Sequence, residues 1–337
     1  MNKKFEVSVE EEIKQVSMKR PHVVVLGAGA SRATCPNGDR AGRILPLMTD
    51  FVDVVGLKAL LQGWGIDPSR NFETIFTELY NGQEQNKVEI VENTIDAYFE
   101  NLALPDEPTV YDHLVLSLRG KDLIATFNWD PLLIQAYLRN GQSGLGLPHL
   151  AFLHGNVRVG YCEKDRVGGP FGERCRHCGE PYKRPPLLYP IEKKDYGTNV
   201  FIADAWKQLR RGLQNAFMIT IFGYSGPSTD EEALSAMRAA WGDKNQREME
   251  QPEFIVAPTQ NEDEVAENWD PFIHTDHYEI HKSFYHSWIA KHPRRTGEAY
   301  SNQYLKAKFI EDNPVPIGFS FPDVWKWYQQ FKEPEQK

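Results

Sequence analysis

Asn128, Asp130 and His154 stand at or just past the ends of two short apolar runs, 122–127 for the first two and 149–154 for the third. Polar groups in such places are costly unless they meet a partner or a ligand. An imidazole handles protons near neutral pH, and an amide and a carboxylate beside it can orient a hydroxyl or a water. A third run, 22–26, breaks into Gly27-Ala28-Gly29-Ala30-Ser31. A buried strand ending in glycines can turn sharply and admit a ligand against bare backbone, one way of holding a pyrophosphate. The dinucleotide fingerprint has a third glycine where this chain has Arg32. The turn by itself therefore fits a nucleotide site and a ligand-free strand-to-helix turn equally. A fourth run, 217–222, is followed by Gly223, Ser225 and Ser228.

A second kind of chemistry belongs to sulfur. Cys175-Arg176-His177-Cys178 is a knuckle in which two thiolates can grip one zinc, and Cys162 lies upstream at a ribbon-like distance. A second Cys-x-x-Cys would place a ligand at position 165, where the chain has Asp165; His177 is the other candidate for the fourth ligand. Free thiols in a loop are the alternative. Any metal here would be structural, not catalytic. Cys35 has no base near it in sequence and reads as a small packing residue rather than a nucleophile.

These groups need elements to position them. The runs at 22–26, 122–127, 149–154, 217–222 and 253–257 read as buried strands. Helical spacing occupies 46–61, with Pro46 at its start, and 71–80, 89–104, 111–119, 201–216 and 229–241, the last capped by Ser228 or Thr229. Pro131 opens a helix running to 138, and 6–18 reads as a short exposed helix. Residues 32–44, with Pro36 and Gly38, read as a loop. Strands alternating with helices place the chain in the α/β class, with a doubly wound, mostly parallel, Rossmann-like sheet. Residues 1–19 form an N-terminal arm, 20–270 the main domain and 271–337 a C-terminal helical extension whose last helix spans 322–331. The main domain carries an inserted helical module at about 46–119 and a small cysteine-containing loop module at about 158–196. In such a sheet ligands lie beyond the carboxyl ends of the strands, where the polar groups stand.

Composition narrows the classes. The chain has 337 residues, enough for a substantial core, and 41% hydrophobic and 25% charged residues mark a folded protein. A formal charge of −9 argues against broad charge-driven contact with nucleic acid. The basic clusters Lys207-Arg210-Arg211 and Lys291-Arg294-Arg295 read as solvated faces. No stretch of eighteen apolar residues marks a membrane span, and the N-terminus lacks a signal peptide's apolar core. Four cysteines make no disulfide framework, so a reducing cytoplasm is the expected compartment. The aromatic C-terminus (Trp325, Trp327, Tyr328, Phe331) offers a contact for an oligomer.

Taken singly, each polar group has a structural role. Asn128 or Asp130 can cap the helix that follows, and His154 can donate to a carbonyl in the core. Taken together after four strands, a shared site explains them better. At this point the chain resembles the sirtuin family over about residues 20–260. Gly27-Ala28-Gly29-Ala30-Ser31 is similar to the family's glycine-rich NAD loop. Thr126-Phe127-Asn128-Trp129-Asp130 is similar to its Thr-Gln-Asn-x-Asp motif, and Leu153-His154-Gly155 to the motif that carries the catalytic histidine. Gly223-Tyr224-Ser225 resembles the later Gly-Thr-Ser turn.

The resemblance implies NAD+ as substrate. Gly27, Ala28, Gly29 and Ser31 would cradle the diphosphate, Thr126 would belong to the same binding set, and Asn128 and Asp130 would lie by the nicotinamide and its ribose. Gly223 and Ser225 would hold the adenosine side, and His154 would act as general base. Three departures matter: one is that the Gly-Ile-Pro-Asp-Phe-Arg loop that deacylases use is missing, with only Asp39-Arg40 at a comparable distance. Phe127 replaces the family's glutamine, and Leu187 to Glu192 replace the Phe-Phe-Gly-Glu segment with which deacylases help bind acyl-lysine peptides. Losing peptide-binding parts while keeping NAD-binding parts favours hydrolysis of NAD+ to nicotinamide and ADP-ribose. The pattern is similar to the divergent sirtuin-like NADases of bacterial antiphage defence. It implies a homo-oligomer and a HerA-type hexameric ATPase as partner. A protein-lysine deacylase and a non-catalytic NAD or ADP-ribose sensor are the alternatives. A simple Rossmann dehydrogenase is disfavoured, because no acidic residue follows a second strand at the distance needed to hold the adenine ribose.

Overall fold

The computed structural model describes residues 5–189, 196–227, 230–243, 245, 247, 249–274 and 277–336. In chain order its strands are β1 (Glu6–Val7), β2 (His22–Leu26), β3 (Leu123–Thr126), β4 (His149–Phe152), β5 (Val159–Cys162), β6 (Val167–Pro170), β7 (Met218–Phe222), β8 (Gln251–Ile255), β9 (Glu279–His281) and β10 (Phe309–Ile310). The central sheet runs β4-β3-β2-β7-β8-β9, and every pairing in it is parallel. Parallel neighbours need long crossovers, so helices cover both faces and the inner strands are apolar on both sides. β2 shows this directly: Val23, Val24, Val25 and Leu26 are fully buried. The expected α/β fold with a mostly parallel sheet is therefore the observed one.

The order of the strands creates a crevice. The chain leaves β2 towards β3 and later leaves β7 towards β8, so the loops after these two neighbours diverge. That switch point, at the carboxyl edge, is where open α/β sheets bind ligands. The helical module fills the β2–β3 crossover. Its helices include Phe72–Asn81, capped by Asn71, and Gln85–Glu100, which buries Val88, Val91, Ile95 and Phe99. Among the described residues, no helix is long and apolar enough to cross a membrane.

Several local expectations are corrected. The helix expected over 46–61 is two short ones, Phe51–Val55 and Lys58–Gly63, split at Gly56, whose φ of 86° ends the first in the left-handed region. Pro46 lies before both. The loop expected from residue 32 starts at Cys35, because the helix Ala28–Thr34 runs up to it and Pro36 follows. Asp230 occupies the N-cap position of the helix Glu231–Trp241; Ser228 and Thr229 lie outside the described residues, as do Pro190, Ile191 and Glu192. The stretch expected to be only helical after 270 supplies β9 to the sheet and β10, which pairs with β1.

Two surface expectations are corrected in part. Arg294 and Arg295 are not solvated: they are 2% and 0% exposed. Arg294 donates to the carbonyls of Leu116, Leu118 and Gly146, and both guanidinium groups meet the Glu335 carboxylate, at 2.5 and 2.7 Å. The aromatic C-terminus turns inward. Tyr328 and Phe331 are fully buried in the main core, and the Tyr328 hydroxyl lies 2.7 Å from that of Ser117. Lys207, Arg210 and Arg211 are exposed as expected.

Removing the carboxylate from a buried pair strands its partners. Glu335→Gln should therefore lower unfolding stability by about 3 kcal/mol in urea melts, with little change in slope. A second prediction concerns the sheet's edge at β9. The His281 imidazole lies 3.2 Å from both Glu253 and Glu279. Burial alone would lower its pKa, but the hydrogen bonds and charges of those two carboxylates outweigh it and raise it from 6.5 to about 9. A raised folded-state pKa gives stability present in full below 6.5 and lost as pH climbs through about 9. The melting temperature should fall across that window, and His281→Gln should flatten the fall.

Candidate active site

The crevice at the carboxyl edge is a cavity of about 620 Å³. It is bordered by the ends of β2, β3, β4 and β7 on one side and by the helical module on the other, through Leu45 to Thr49, Phe51 and Phe99. Gly27, Ala28, Gly29, Ser31, Asn128, Asp130, His154, Gly223 and Ser225, all singled out from sequence, line it. Thr126 does not. It is 1% exposed, and its hydroxyl accepts the Asn128 amide at 3.0 Å, so it fixes the turn that carries Asn128.

The glycines owe their identity to the protein's own backbone. A Cβ on Gly27 would sit 2.6 Å from the Gly223 carbonyl oxygen and from the Tyr224 Cα, and one on Gly29 would sit 2.8 Å from the Gly223 Cα. Gly223 has φ +62°, and a Cβ there would lie 2.1 Å from the Ala30 nitrogen. The Gly27 amide donates to the Phe222 carbonyl and the Gly29 amide to the Gly223 carbonyl, at 3.0 and 2.9 Å. So the two turns at the switch point are locked against each other. Arg32, at the place of the missing third glycine, spends its guanidinium on the Leu45 carbonyl and on Asp50, 2.5 Å away. It pins the facing wall to the helix that starts at the glycine turn.

One turn into that helix, Ser31 organises the polar groups. Its hydroxyl donates to Asp130 Oδ2 at 2.6 Å, and Asp130 Oδ1 accepts the Leu132 amide at 3.0 Å. Burial raises the Asp130 pKa, and the hydrogen bonds from Ser31 and the Leu132 amide pull the other way. Asn128 Nδ2 donates to the Gly27 carbonyl and to Ser31 Oγ, both at 2.9 Å. Asn156 Nδ2 holds the Asp130 carbonyl at 2.7 Å.

His154 is 6% exposed at the end of β4. Its ring meets Phe127 edge-on at 4.8 Å and lies parallel to Tyr196 at 6.0 Å. Trp206 donates to the carbonyl of the preceding Leu153 at 3.2 Å. Phe127 stacks on Tyr224 at 4.3 Å, and the Tyr224 hydroxyl donates to Asp230 at 3.0 Å. An aromatic band thus joins the β3, β4 and β7 turns. Sequence reasoning noted Phe127 only as a departure and missed Tyr111, Asn156, Tyr196, Trp206 and Tyr224. Tyr224 stands inside the Gly223-Tyr224-Ser225 motif and Asn156 just after Leu153-His154-Gly155, whereas no spacing links Tyr111, Tyr196 or Trp206 to a motif, since their contacts are made across the sheet. Cys35 is buried, and burial with the nearby Asp130 and Asp39 carboxylates pushes its thiol up to about 12, as befits a packing residue.

The cysteine module is a separate centre. β5 and β6 form an antiparallel hairpin, and beside it the ligand atoms of Cys162, Asp165, Cys175 and Cys178 all lie within 4.8 Å of one another. The Cys162 and Cys178 sulfurs are 3.5 Å apart, and Cys175 Sγ is 3.2 Å from Asp165 Oδ2. Tetrahedral zinc bonded to sulfur at about 2.3 Å spaces its ligands by just under about 4 Å. Three thiols and one carboxylate at these separations fit a structural zinc, with Asp165 rather than His177 as fourth ligand. The module bears on the site through Asp204, which accepts the Tyr161 hydroxyl at 2.6 Å and pairs with Arg166; Asp204 lies on the helix that carries Trp206.

No family model and no curated protein matches the chain. Solved structures do. One described as giving the structural basis for the mechanism and regulation of Sir2 enzymes is 14% identical, with 96% of each chain covered and a TM-score of 0.40. A Sir2 homologue in complex with NAD is 15% identical, covering 89% of this chain and 93% of the other, with a TM-score of 0.38. A third, on the structural basis of sirtuin substrate affinity, is 15% identical, with 78% and 88% covered and a TM-score of 0.38. These are likenesses at low identity and low TM-score, and the functional reading rests on the site.

The purified chain should contain one zinc by elemental analysis, Cys178→Ser should lower that content, and a strong chelator should lower the melting temperature. Full stability in metal-free protein would rule out a structural zinc.

Proposed function

We propose that the chain is an NAD+ glycohydrolase that uses water to cleave the nicotinamide–ribose bond, giving nicotinamide and ADP-ribose. One observation carries this reading. Asn128 and His154, from different strands, border the same cavity as the glycine turn, at the sheet's switch point. The motif resemblance supports NAD+ as occupant, and a cavity of about 620 Å³ is of the size that takes small-molecule ligands.

The roles follow from position. The exposed Ala28 and the cavity-lining face of Gly27, Gly29 and Ser31 would meet the diphosphate, with Gly223 and Ser225 towards the adenosine. Two of the turn's amides are already spent on the β7 turn, so diphosphate binding draws on the rest of the wall. The amide hydrogens of Asn128 point inward to Gly27 and Ser31, which leaves its carbonyl oxygen for the ribose or for water. Asp130 keeps Ser31 and the Asn128 turn in place, and Thr126 supports the same turn from behind.

As the bond breaks, its electron pair goes to the nicotinamide nitrogen and the group leaves neutral. The ribose C1′ takes on positive character, which a nearby carbonyl oxygen stabilises. Water adds at C1′ and gives a proton to the His154 imidazole as general base. The resemblance further supports a role in antiphage defence by NAD+ depletion, in a homo-oligomer with a HerA-type hexameric ATPase.

The test is nicotinamide and ADP-ribose release from NAD+ without acyl peptide, with the chain alone and with the ATPase added. Asn128→Ala and His154→Ala should each lower the rate by about a hundredfold or more with the fold intact. Consumption of NAD+ only when an acyl-lysine peptide is present would make the protein a deacylase. Binding without consumption would make it a sensor.

A further inference from the structure

Tyr111 is one of the largest fully buried side chains, and its hydroxyl sits inside the polar cluster of the site. It comes from the helix Val110–Leu116, at the end of the helical module and outside every motif. Its oxygen is 2.9 Å from Ser31 Oγ and 3.3 Å from Asn128 Nδ2. The directions of these bonds can be worked out. Ser31 Oγ donates to Asp130 Oδ2 at 2.6 Å, so the single Ser31 hydrogen is spent there. The Ser31 oxygen must then accept from its other neighbours. The Tyr111 hydrogen therefore points to Ser31, and both Ser31 lone pairs are filled, one by Tyr111 and one by Asn128 Nδ2.

We infer that Tyr111 is a positioning residue: its hydroxyl completes the Ser31 hydrogen-bond shell and thereby holds the Asn128 amide with its NH2 inward and its carbonyl oxygen towards the cavity. The geometry has a direct consequence. Without the Tyr111 hydroxyl, Ser31 keeps a buried lone pair without a donor, and the Asn128 NH2 loses the third of its three inward acceptors. The amide then has less reason to keep one face to the cavity, because a flip by half a turn exchanges its nitrogen and oxygen at little steric cost. Tyr111 touches no ligand in this scheme; it acts through Ser31 and Asn128. It also makes the helical module part of the site's polar support, not only of its wall.

As a catalytic statement this rests on the glycohydrolase reading, whereas the amide geometry does not, and the two are tested separately. Tyr111→Phe keeps the ring and removes only the oxygen. With asparagine side chains 15N-labelled, and the Asn128 signal assigned by its loss in Asn128→Ala, the variant should shift the Asn128 NH2 resonance. It should also speed hydrogen exchange there about tenfold, as expected for losing one hydrogen bond. Ser31→Ala removes the neighbouring acceptor of the same NH2 without touching the ring, and it must perturb the same signal. An unchanged Asn128 resonance in either variant overturns the inference whether or not the protein cleaves NAD+.

In the activity assay, Tyr111→Phe should lower kcat about tenfold and leave KM for NAD+ within about threefold. Its effect should largely vanish in a Ser31→Ala background, because the two residues act in series. Effects that multiply, or a fall in melting temperature with kcat preserved, would reduce Tyr111 to core packing. If the parent protein cleaves no NAD+, the functional reading fails and the resonance alone decides the role of Tyr111.

Discussion

The structure depends on one close contact between backbones. At the switch point the turn after β2 and the turn after β7 touch through Gly27, Gly29 and Gly223, with no room for a side chain on any of the three. This contact fixes where the helix Ala28–Thr34 begins, and so where Ser31 falls one turn later. From there Ser31 reaches across to the β3 turn and meets both Asn128 and Asp130. The glycines thus do for the protein's own turns what a nucleotide loop does for a ligand: they let two hydrogen-bonding surfaces approach.

A buried carboxylate is the second constraint. Asp130 is 4% exposed, and such a group costs several kcal/mol unless its oxygens are satisfied. Ser31 and the Leu132 amide satisfy them, and in doing so Ser31 loses its freedom to donate elsewhere. Every other hydrogen bond in the cluster is then directed by elimination. The order runs from a carboxyl group, through a hydroxyl, to an amide facing the cavity. A network of this kind is worth having only when complete, since one missing donor leaves a polar atom buried in a medium of low dielectric.

Much of this was legible in the sequence. The strands at 22–26, 122–127, 149–154 and 217–222 were visible as apolar runs, and the α/β alternation followed from them. The site residues at strand ends were visible because Asn, Asp and His are costly there. What stayed hidden was whatever depends on contacts across the sheet. Tyr111 reads as one more residue on a helix, and nothing local says that its hydroxyl meets Ser31, 80 positions earlier. β9 is three residues long with no flanking apolar run, so it is a strand only because β8 lies beside it. Arg294 and Arg295 look like surface charge until Glu335 folds back on them. Gly56 broke the expected helix at 46–61 because apolar spacing continued through it while the backbone did not.

The two edges of the sheet show why residue type alone does not locate a site. The amino edge is as rich in buried polar groups as the carboxyl edge. His22 lies between the hydroxyls of Thr296 and Thr220, at 2.9 and 2.7 Å, and burial lowers its pKa to about 4, so it is neutral. Asp122 accepts the backbone amides of His22 and Arg119 at 2.8 Å each, and Arg119 meets both oxygens of Glu298 at 3.0 Å. These bonds run inward and knit the arm, the sheet and the C-terminal segment together. At the carboxyl edge the same residue types stand beside open space. Asn128 and His154 border the cavity at the switch point, and His22 and Asp122 are not among its lining residues. A histidine at the start of one strand and a histidine past the end of another are chemically alike, and the winding of the sheet decides which of them borders the cavity.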